Sequence, residues 1–197
     1  MKLYTHPASP FARKCRVVAH ELGLKPEEIV VNARDDESFR AVNPLKKIPT
    51  LILDDGSALF DSRVICEYLN ELGGGKFFPG MSIWRQSSGR WKALGLQALA
   101  DGIMDAGVAC RYENLEPAER RNASHVGRYT ATIKAGVDAL ERVTFSDPPT
   151  IGEIAAGCAL GYLDFRYADL NWRDGHPRLA GWFAKFSQYP SMAATAP

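Results

Sequence analysis

The run Gly73-Gly74-Gly75-Lys76-Phe77-Phe78-Pro79-Gly80 constrains the fold more than any other segment. Glycines and a proline in such close succession cannot continue a helix, so the segment reads as a linker. The pattern of apolar residues changes across it. Before it, short apolar runs alternate with amphipathic stretches; after it, only helical patterns remain. The predicted architecture is an α/β unit over residues 1–75, a linker over 76–82 and an all-α unit over 83–197.

In the first unit, Lys2 to Thr5 is a short strand ended by Pro7, and Phe11, Cys15, Val18 and Leu22 mark one face of a helix that opens at Ser9-Pro10. Gly23 is placed to terminate it. Ile29 to Val31 is strand-like, and Asp35 to Val42 is a short polar helix candidate. Pro49 to Leu53 and Ala58 to Phe60 flank Asp54-Asp55-Gly56, a strong hairpin signal. A further helix begins with Asp61 or Ser62 as its cap and carries Ile65, Tyr68, Leu69 and Leu72 on one face.

In the second unit, a long helix is predicted from Trp84 to Arg111, and Val126, Tyr129, Ile133, Val137 and Leu140 give the next its stripe. Thr150-Ile151-Gly152-Glu153 is a capping box opening a stretch, Ile154 to Phe165, that is apolar almost all round. Such a helix belongs in the middle of a domain. Leu179, Trp182, Phe183 and Phe186 mark a last helix, ending near Tyr189-Pro190.

Charge and composition narrow the function classes. With 46% hydrophobic and 24% charged residues the chain has the make-up of a globular enzyme or binding module. A formal charge of +1, with no long run of either sign, argues against a nucleic-acid footprint. Apolar stretches such as Ala155 to Leu163 are broken well before the roughly 20 residues a bilayer span needs. No apolar secretory core fits between Lys2 and Pro10, so no membrane partner and a cytoplasmic location are expected. Cys15, Cys66, Cys110 and Cys158, like His6, His20, His125 and His176, are dispersed. Reduced thiols and no protein-bound metal are the expectation.

Taken singly, Ser9-Pro10, Ile48-Pro49 and Asp61-Ser62 are ordinary caps and a strand-opening proline. Together with Ser9-Pro10-Phe11-Ala12-Arg13-Lys14, Asn43-Pro44-Leu45-Lys46-Lys47-Ile48-Pro49, Phe60-Asp61-Ser62-Arg63-Val64-Ile65 and the box at Thr150, they give the chain its likeness to a family. It resembles the glutathione S-transferases, in particular the bacterial cytosolic type with a serine in the N-terminal site. The resemblance implies a thioredoxin-like N-terminal domain that binds glutathione as co-substrate, with no tightly bound cofactor. It also implies an all-α C-terminal domain that supplies the pocket for an electrophilic small molecule, and a homodimer.

The family likeness also assigns roles. Ser9 would donate a hydrogen bond to the glutathione thiolate, with Tyr4 the rival donor, and Phe11 would lie beside the tripeptide. Ile48, before a cis Pro49, would pair with its cysteinyl residue. Asp61 and Ser62 would hold the γ-glutamyl end, and Lys47, or else Lys46, the glycyl carboxylate. Met104, Val108 and Arg111 would line the electrophile pocket. The energetics suit Ser9. A thiol with a reference pKa of about 8.5 must fall by about 1.5 to 2.5 to ionise at neutral pH, roughly 2 to 3.4 kcal/mol. A hydroxyl donor to an anion contributes about 1.5 to 3 kcal/mol, and a helix N-terminus about 0.3 to 1.

Two departures stand out: Asp61 replaces the family's common Glu, and Glu153 its usual capping Asp. The cysteine of the glutaredoxin-like classes is absent at Ser9, which disfavours thiol-disulfide exchange through the protein. Two other readings stay open on sequence alone. One is a transferase-like ligand-binding or protein-interaction module with little catalysis; the other is a glutathione-dependent reductase.

Overall fold

A computed structural model describes residues 1–80 and 88–197. The end of the predicted linker, and the predicted helix start at Trp84, fall outside the described residues. The first part of the chain runs β1 (Lys2–Thr5), α1 (Pro10–Glu21), β2 (Glu27–Val30), a 3₁₀ turn (Glu37–Ala41), β3 (Thr50–Ile52), β4 (Ala58–Leu59) and α2 (Ser62–Leu72). Five helices follow: α3 (Ser88–Leu115), α4 (Ala123–Glu141), α5 (Ile151–Arg166), α6 (Pro177–Phe186) and α7 (Pro190–Ala194). The sheet is mixed, in the order β2-β1-β3-β4, with β1 parallel to β2 and the other pairs antiparallel.

Local chemistry explains most boundaries. Ser9 caps α1 with Pro10 at its first position, and Gly23, at φ +68°, supplies the left-handed residue just past its end. Asp61, rather than Ser62, caps α2. The predicted polar helix at Asp35 to Val42 shrinks to the 3₁₀ turn capped by Asp36, because Phe39 alone anchors it in the core. The predicted last helix does stop before Pro190, but that proline then starts α7, whose Ser191 and Met192 are buried.

The glycine run does more than interrupt. Gly74 and Gly75 take φ +92° and +82°, open to glycine at little cost, and let the chain double back on α2. Phe77 then enters the core, fully buried; its N–H donates to Asn70 Oδ1 at 2.6 Å and its carbonyl accepts from Ile151 N at 3.0 Å. The end of α2 is thereby clasped to the start of α5.

Helix α5 is the axis of the helical domain. Its cap is the predicted reciprocal box: Glu153 Oε2 accepts from Thr150 N at 2.8 Å, and Thr150 Oγ accepts from Gly152 N at 3.2 Å. Glu153 Oε1 also accepts from Ser146 N at 2.7 Å, so the carboxylate ties down the incoming loop. Ile151, Ala155, Ala156, Cys158, Ala159, Leu160 and Leu163 are all fully buried. Helix α3 packs along α5 and α4. Over Gly89–Leu115 it is long and apolar enough to span a bilayer, a stretch the sequence reading passed over, and half of its most apolar window is buried inside the fold.

A buried charge pair joins the two parts. Lys14 Nζ of α1 donates to Asp101 Oδ1 of α3 at 2.6 Å with both side chains inaccessible to solvent, and Arg63 Nε of α2 reaches Asp101 Oδ2 at 2.9 Å. Burial alone would drive the Lys14 ammonium toward neutrality, but the fields of Cys66 and Asp101 and the hydrogen bond to that carboxylate hold its pKa above the ordinary value. Next to it, buried Arg13 donates to the Met192 carbonyl at 2.9 Å and to Thr195 Oγ at 3.4 Å, fastening α7 to α1.

Asp101→Ala leaves Lys14 buried without a counter-charge and should destabilise the protein by about 3 to 5 kcal/mol, whereas Lys14→Met with Asp101→Leu should recover most of that loss. Urea denaturation measures both. A single-variant loss below about 1 kcal/mol would contradict a structural role for the pair.

Candidate functional site

Sheet register brings the predicted residues to one place. Tyr4 of β1 pairs with Thr50 of β3, and Leu51 of β3 with Leu59 of β4. Since β3 runs against both neighbours, the end of β1, the start of β3 and the end of β4 share one edge of the sheet. Ser9, the Ile48-Pro49 turn and Asp61-Ser62 therefore emerge side by side.

Ser9 is held from both directions. Its N–H donates to the His6 carbonyl at 2.9 Å, its carbonyl accepts from Arg13 N at 2.9 Å, and its Oγ accepts from Ala12 N at 3.2 Å. His6 Nδ1 accepts from Ala8 N at 3.1 Å, closing the turn. Capping uses a lone pair of the hydroxyl oxygen, which keeps the O–H proton available for an outside acceptor. Tyr4, by contrast, lies edge-on to Phe39 with ring centroids 5.3 Å apart. Phe11 is half-buried against the core at the first turn of α1.

Asn43 builds the second corner. It is fully buried, donates through Nδ2 to the Lys47 carbonyl and to Thr50 Oγ, each at 2.9 Å, and accepts from Leu45 N at 2.9 Å. Those bonds pin the loop on both sides of the Ile48-Pro49 peptide, which is cis. Of the two lysines, Lys46 is drawn to Glu37 at 2.7 Å, whose carboxyl is held below its usual pKa by Lys46 and Arg40. Lys47 is exposed and meets no carboxylate in an ion pair among the described residues.

At the third corner, Asp61 Oδ1 accepts from Arg63 N at 2.9 Å, leaving its second oxygen free of that cap, and Ser62 is buried at the helix start. The Ser62 carbonyl lies 3.8 Å from Cys15 Sγ, which seats α2 on α1. Asp105 of α3 belongs to the same electrostatic neighbourhood. Burial and then Asp101 push its pKa up, while Arg63 and Lys47 oppose the shift.

Beside Ser9 lies a small, half-open cleft whose lining includes Pro10, Arg13, Cys158 and Tyr162. Cys158 offers no thiolate there: burial pushes its pKa up to about 12, against the pull of Arg13 and Lys14. Burial, with the neighbouring Cys66, likewise raises Cys15. Tyr162, which the sequence reading did not single out, shares the lining of that cleft with Ser9, its pKa raised to about 12 by burial in spite of Arg166 and Arg111. Inside a helix apolar all round, no periodicity marked it. Met104, predicted for the electrophile pocket, is a correction: it is fully buried in the main core, where a long helix between two others places its inner face. Val108 and Arg111 are half-buried.

A small four-stranded mixed sheet joined to a helical bundle is an architecture this chain shares with known proteins. The family model for the glutathione S-transferase N-terminal domain matches residues 8–72, and that for the C-terminal domain matches residues 118–185. The chain belongs to the glutathione S-transferase family. It is 32% identical to the GST-like protein YibF of Escherichia coli, over 100% of this chain and 98% of that protein. A glutathione transferase family member from Pseudomonas fluorescens, crystallised with bound glutathione, is 41% identical with a TM-score of 0.89, covering 100% of this chain and 98% of its own. A glutathione S-transferase from Methylobacillus flagellatus with glutathione bound is 34% identical with a TM-score of 0.90, again covering 100% and 98%.

Proposed function

We propose that this protein is a glutathione transferase, in which Ser9 stabilises the glutathione thiolate for attack on an electrophilic small molecule. The observation that carries the reading is the convergence of Ser9, the Ile48-Pro49 turn and Asp61-Ser62 on one sheet edge, fixed by strand register. Relatives with glutathione bound support the ligand.

The roles follow from the donors and acceptors each residue has to spare. The Ile48 backbone pairs with the cysteinyl residue of the tripeptide as an added strand. Asp61 meets the γ-glutamyl ammonium with its spare oxygen, while the Ser62 hydroxyl and the start of α2 meet the γ-glutamyl carboxylate. Lys47 takes the glycyl carboxylate. The sulfur is thereby delivered to the N-terminus of α1, with Phe11 beside it. There the Ser9 hydroxyl donates to the thiolate, and the aligned peptide dipoles of α1 add to the stabilisation. The thiol proton passes to solvent, and the sulfur lone pair forms a bond to the electrophilic carbon of a molecule held in the cleft by Tyr162, Val108 and Arg111; that carbon's bond to its leaving group breaks, and the group departs with the bonding pair.

The assembly in this reading is a homodimer across the face where α2 meets α3. Val64 and Trp91 stand exposed on those helices, beside an open cleft lined by Arg63, Glu67, Phe78, Leu94 and Gln97. Light scattering should return about twice the chain mass of 21.7 kDa at micromolar concentration, and the single-chain mass would contradict the dimer.

Ser9→Ala removes the hydroxyl donor and keeps the helix dipole, a loss of roughly 1.5 to 3 kcal/mol of thiolate stabilisation. The pKa of bound glutathione should then rise by about 1 to 2 pH units, with a much smaller change in glutathione affinity. Thiolate absorbance against pH at saturating glutathione reads this out. An unchanged titration would reject Ser9 as the donor.

A further inference from the structure

Helices α3 and α5 run parallel: a Cβ at Gly152 of α5 would lie 2.8 Å from Leu96 Cβ of α3, and further along a Cβ at Gly107 of α3 would lie 3.0 Å from Tyr162 Cε1 of α5. Gly107 thus lets the Tyr162 ring lie against the α3 backbone, and the Tyr167 hydroxyl donates to the Gly107 carbonyl at 2.5 Å. Arg111 stands one turn beyond Gly107 on α3, and Arg166 one turn beyond Tyr162 on α5. In a parallel pair, the same step in the same direction brings both arginines to one level, next to the cleft that Tyr162 shares with Ser9.

Among the described residues, three arginines lose much of their water without an ion pair, Arg13, Arg111 and Arg166, and of these Arg13 is satisfied by the Met192 carbonyl and Thr195 Oγ. Arg16, Arg40, Arg63, Arg90 and Arg173 each meet a carboxylate. Arg111 and Arg166 are half-buried, and neither has an ion-pair partner among the described residues. Arg166 Nε is buried with no hydrogen-bond partner, and its guanidinium is stacked 3.9 Å over the Phe165 ring. Both arginines lie close enough to Tyr162 to oppose the rise that burial gives its pKa. Two guanidinium groups that lose water without gaining a counter-ion are costly unless an anion from outside completes them.

We infer that the electrophilic co-substrate carries a carboxylate, which Arg111 and Arg166 receive beside Tyr162. The inference rests on the glutathione reading above and gives it a substrate class. Arginine suits the task because its planar fork matches a carboxylate with two parallel hydrogen bonds and does not deprotonate. The apolar part of the co-substrate would lie against Tyr162 and Val108, with its reactive carbon toward Ser9.

Calorimetry with three probes tests this: glutathione, S-(4-carboxybenzyl)glutathione and its neutral analogue S-(4-carbamoylbenzyl)glutathione. The parent should bind the carboxylate conjugate about tenfold more tightly than the carboxamide. Arg111→Gln with Arg166→Gln should abolish that preference, and Arg111→Lys with Arg166→Lys should keep a part of it, which a merely structural role would not reproduce. Equal affinity of the parent for the two conjugates, with glutathione itself bound, would overturn the inference and leave the glutathione reading standing. So would a preference that survives the double glutamine variant. Failure of the parent to bind glutathione at millimolar concentration would bring down both.

Discussion

The buried ion pair of Lys14 and Asp101, with Arg63 on the second carboxylate oxygen, is the constraint on which the site's geometry depends. Each of its members belongs to an element that presents chemistry. Lys14 sits on α1, which Ser9 opens; Arg63 sits on α2, which Asp61 opens; Asp101 sits on α3, which continues to Gly107 and Arg111. One carboxylate therefore sets the mutual placement of the start of α1 at Ser9, the start of α2 at Asp61 and the stretch of α3 that carries Gly107 and Arg111. Such a triad stabilises little compared with a well-packed apolar replacement, but its geometry is demanding, since any slip leaves a buried charge exposed to nothing.

The second fixed point is α5. Glu153 closes its start onto Thr150 and Ser146, and the Phe77 carbonyl takes the Ile151 N–H, so the linker and the helical core are locked together at one end. At the cleft end α5 has Gly161, where a Cβ would lie 2.3 Å from the Arg13 guanidinium. That bare position lets Arg13 pass across α5 to hold α7, and it brings the start of α1 within reach of Tyr162. Burial keeps the Cys15 and Cys158 thiols protonated and so unreactive.

What the sequence made legible was local. Ser9, Asp61 and Thr150 were readable as caps because capping involves residues within one turn, and Asp55-Gly56 was readable as a hairpin for the same reason. The functional grouping of those caps came from the family likeness, and strand register supplies its physical basis. What stayed hidden depends on distant partners. Lys14 reads as an ordinary charge on an amphipathic helix until Asp101, far along the chain, removes it from water. Met104 and Arg111 lie on one predicted helix face, yet only tertiary contacts decide that the first is core and the second half-exposed. Tyr162 could not be told from its neighbours in a helix apolar almost all round, and Arg166, just past that stretch, read as an ordinary basic residue in the last turn. The aromatic clasp at Phe77 was concealed by the glycines around it.

A crystal structure with glutathione bound tests the central claim most directly, namely that the corner formed by Ser9, Ile48-Pro49 and Asp61-Ser62 is a thiol-activating glutathione site. The account predicts the sulfur at about 3.0 to 3.5 Å from Ser9 Oγ, the cysteinyl backbone paired with Ile48 and the γ-glutamyl group on Asp61 and Ser62. A sulfur directed at the Tyr4 hydroxyl, or a tripeptide bound away from this sheet edge, would contradict it.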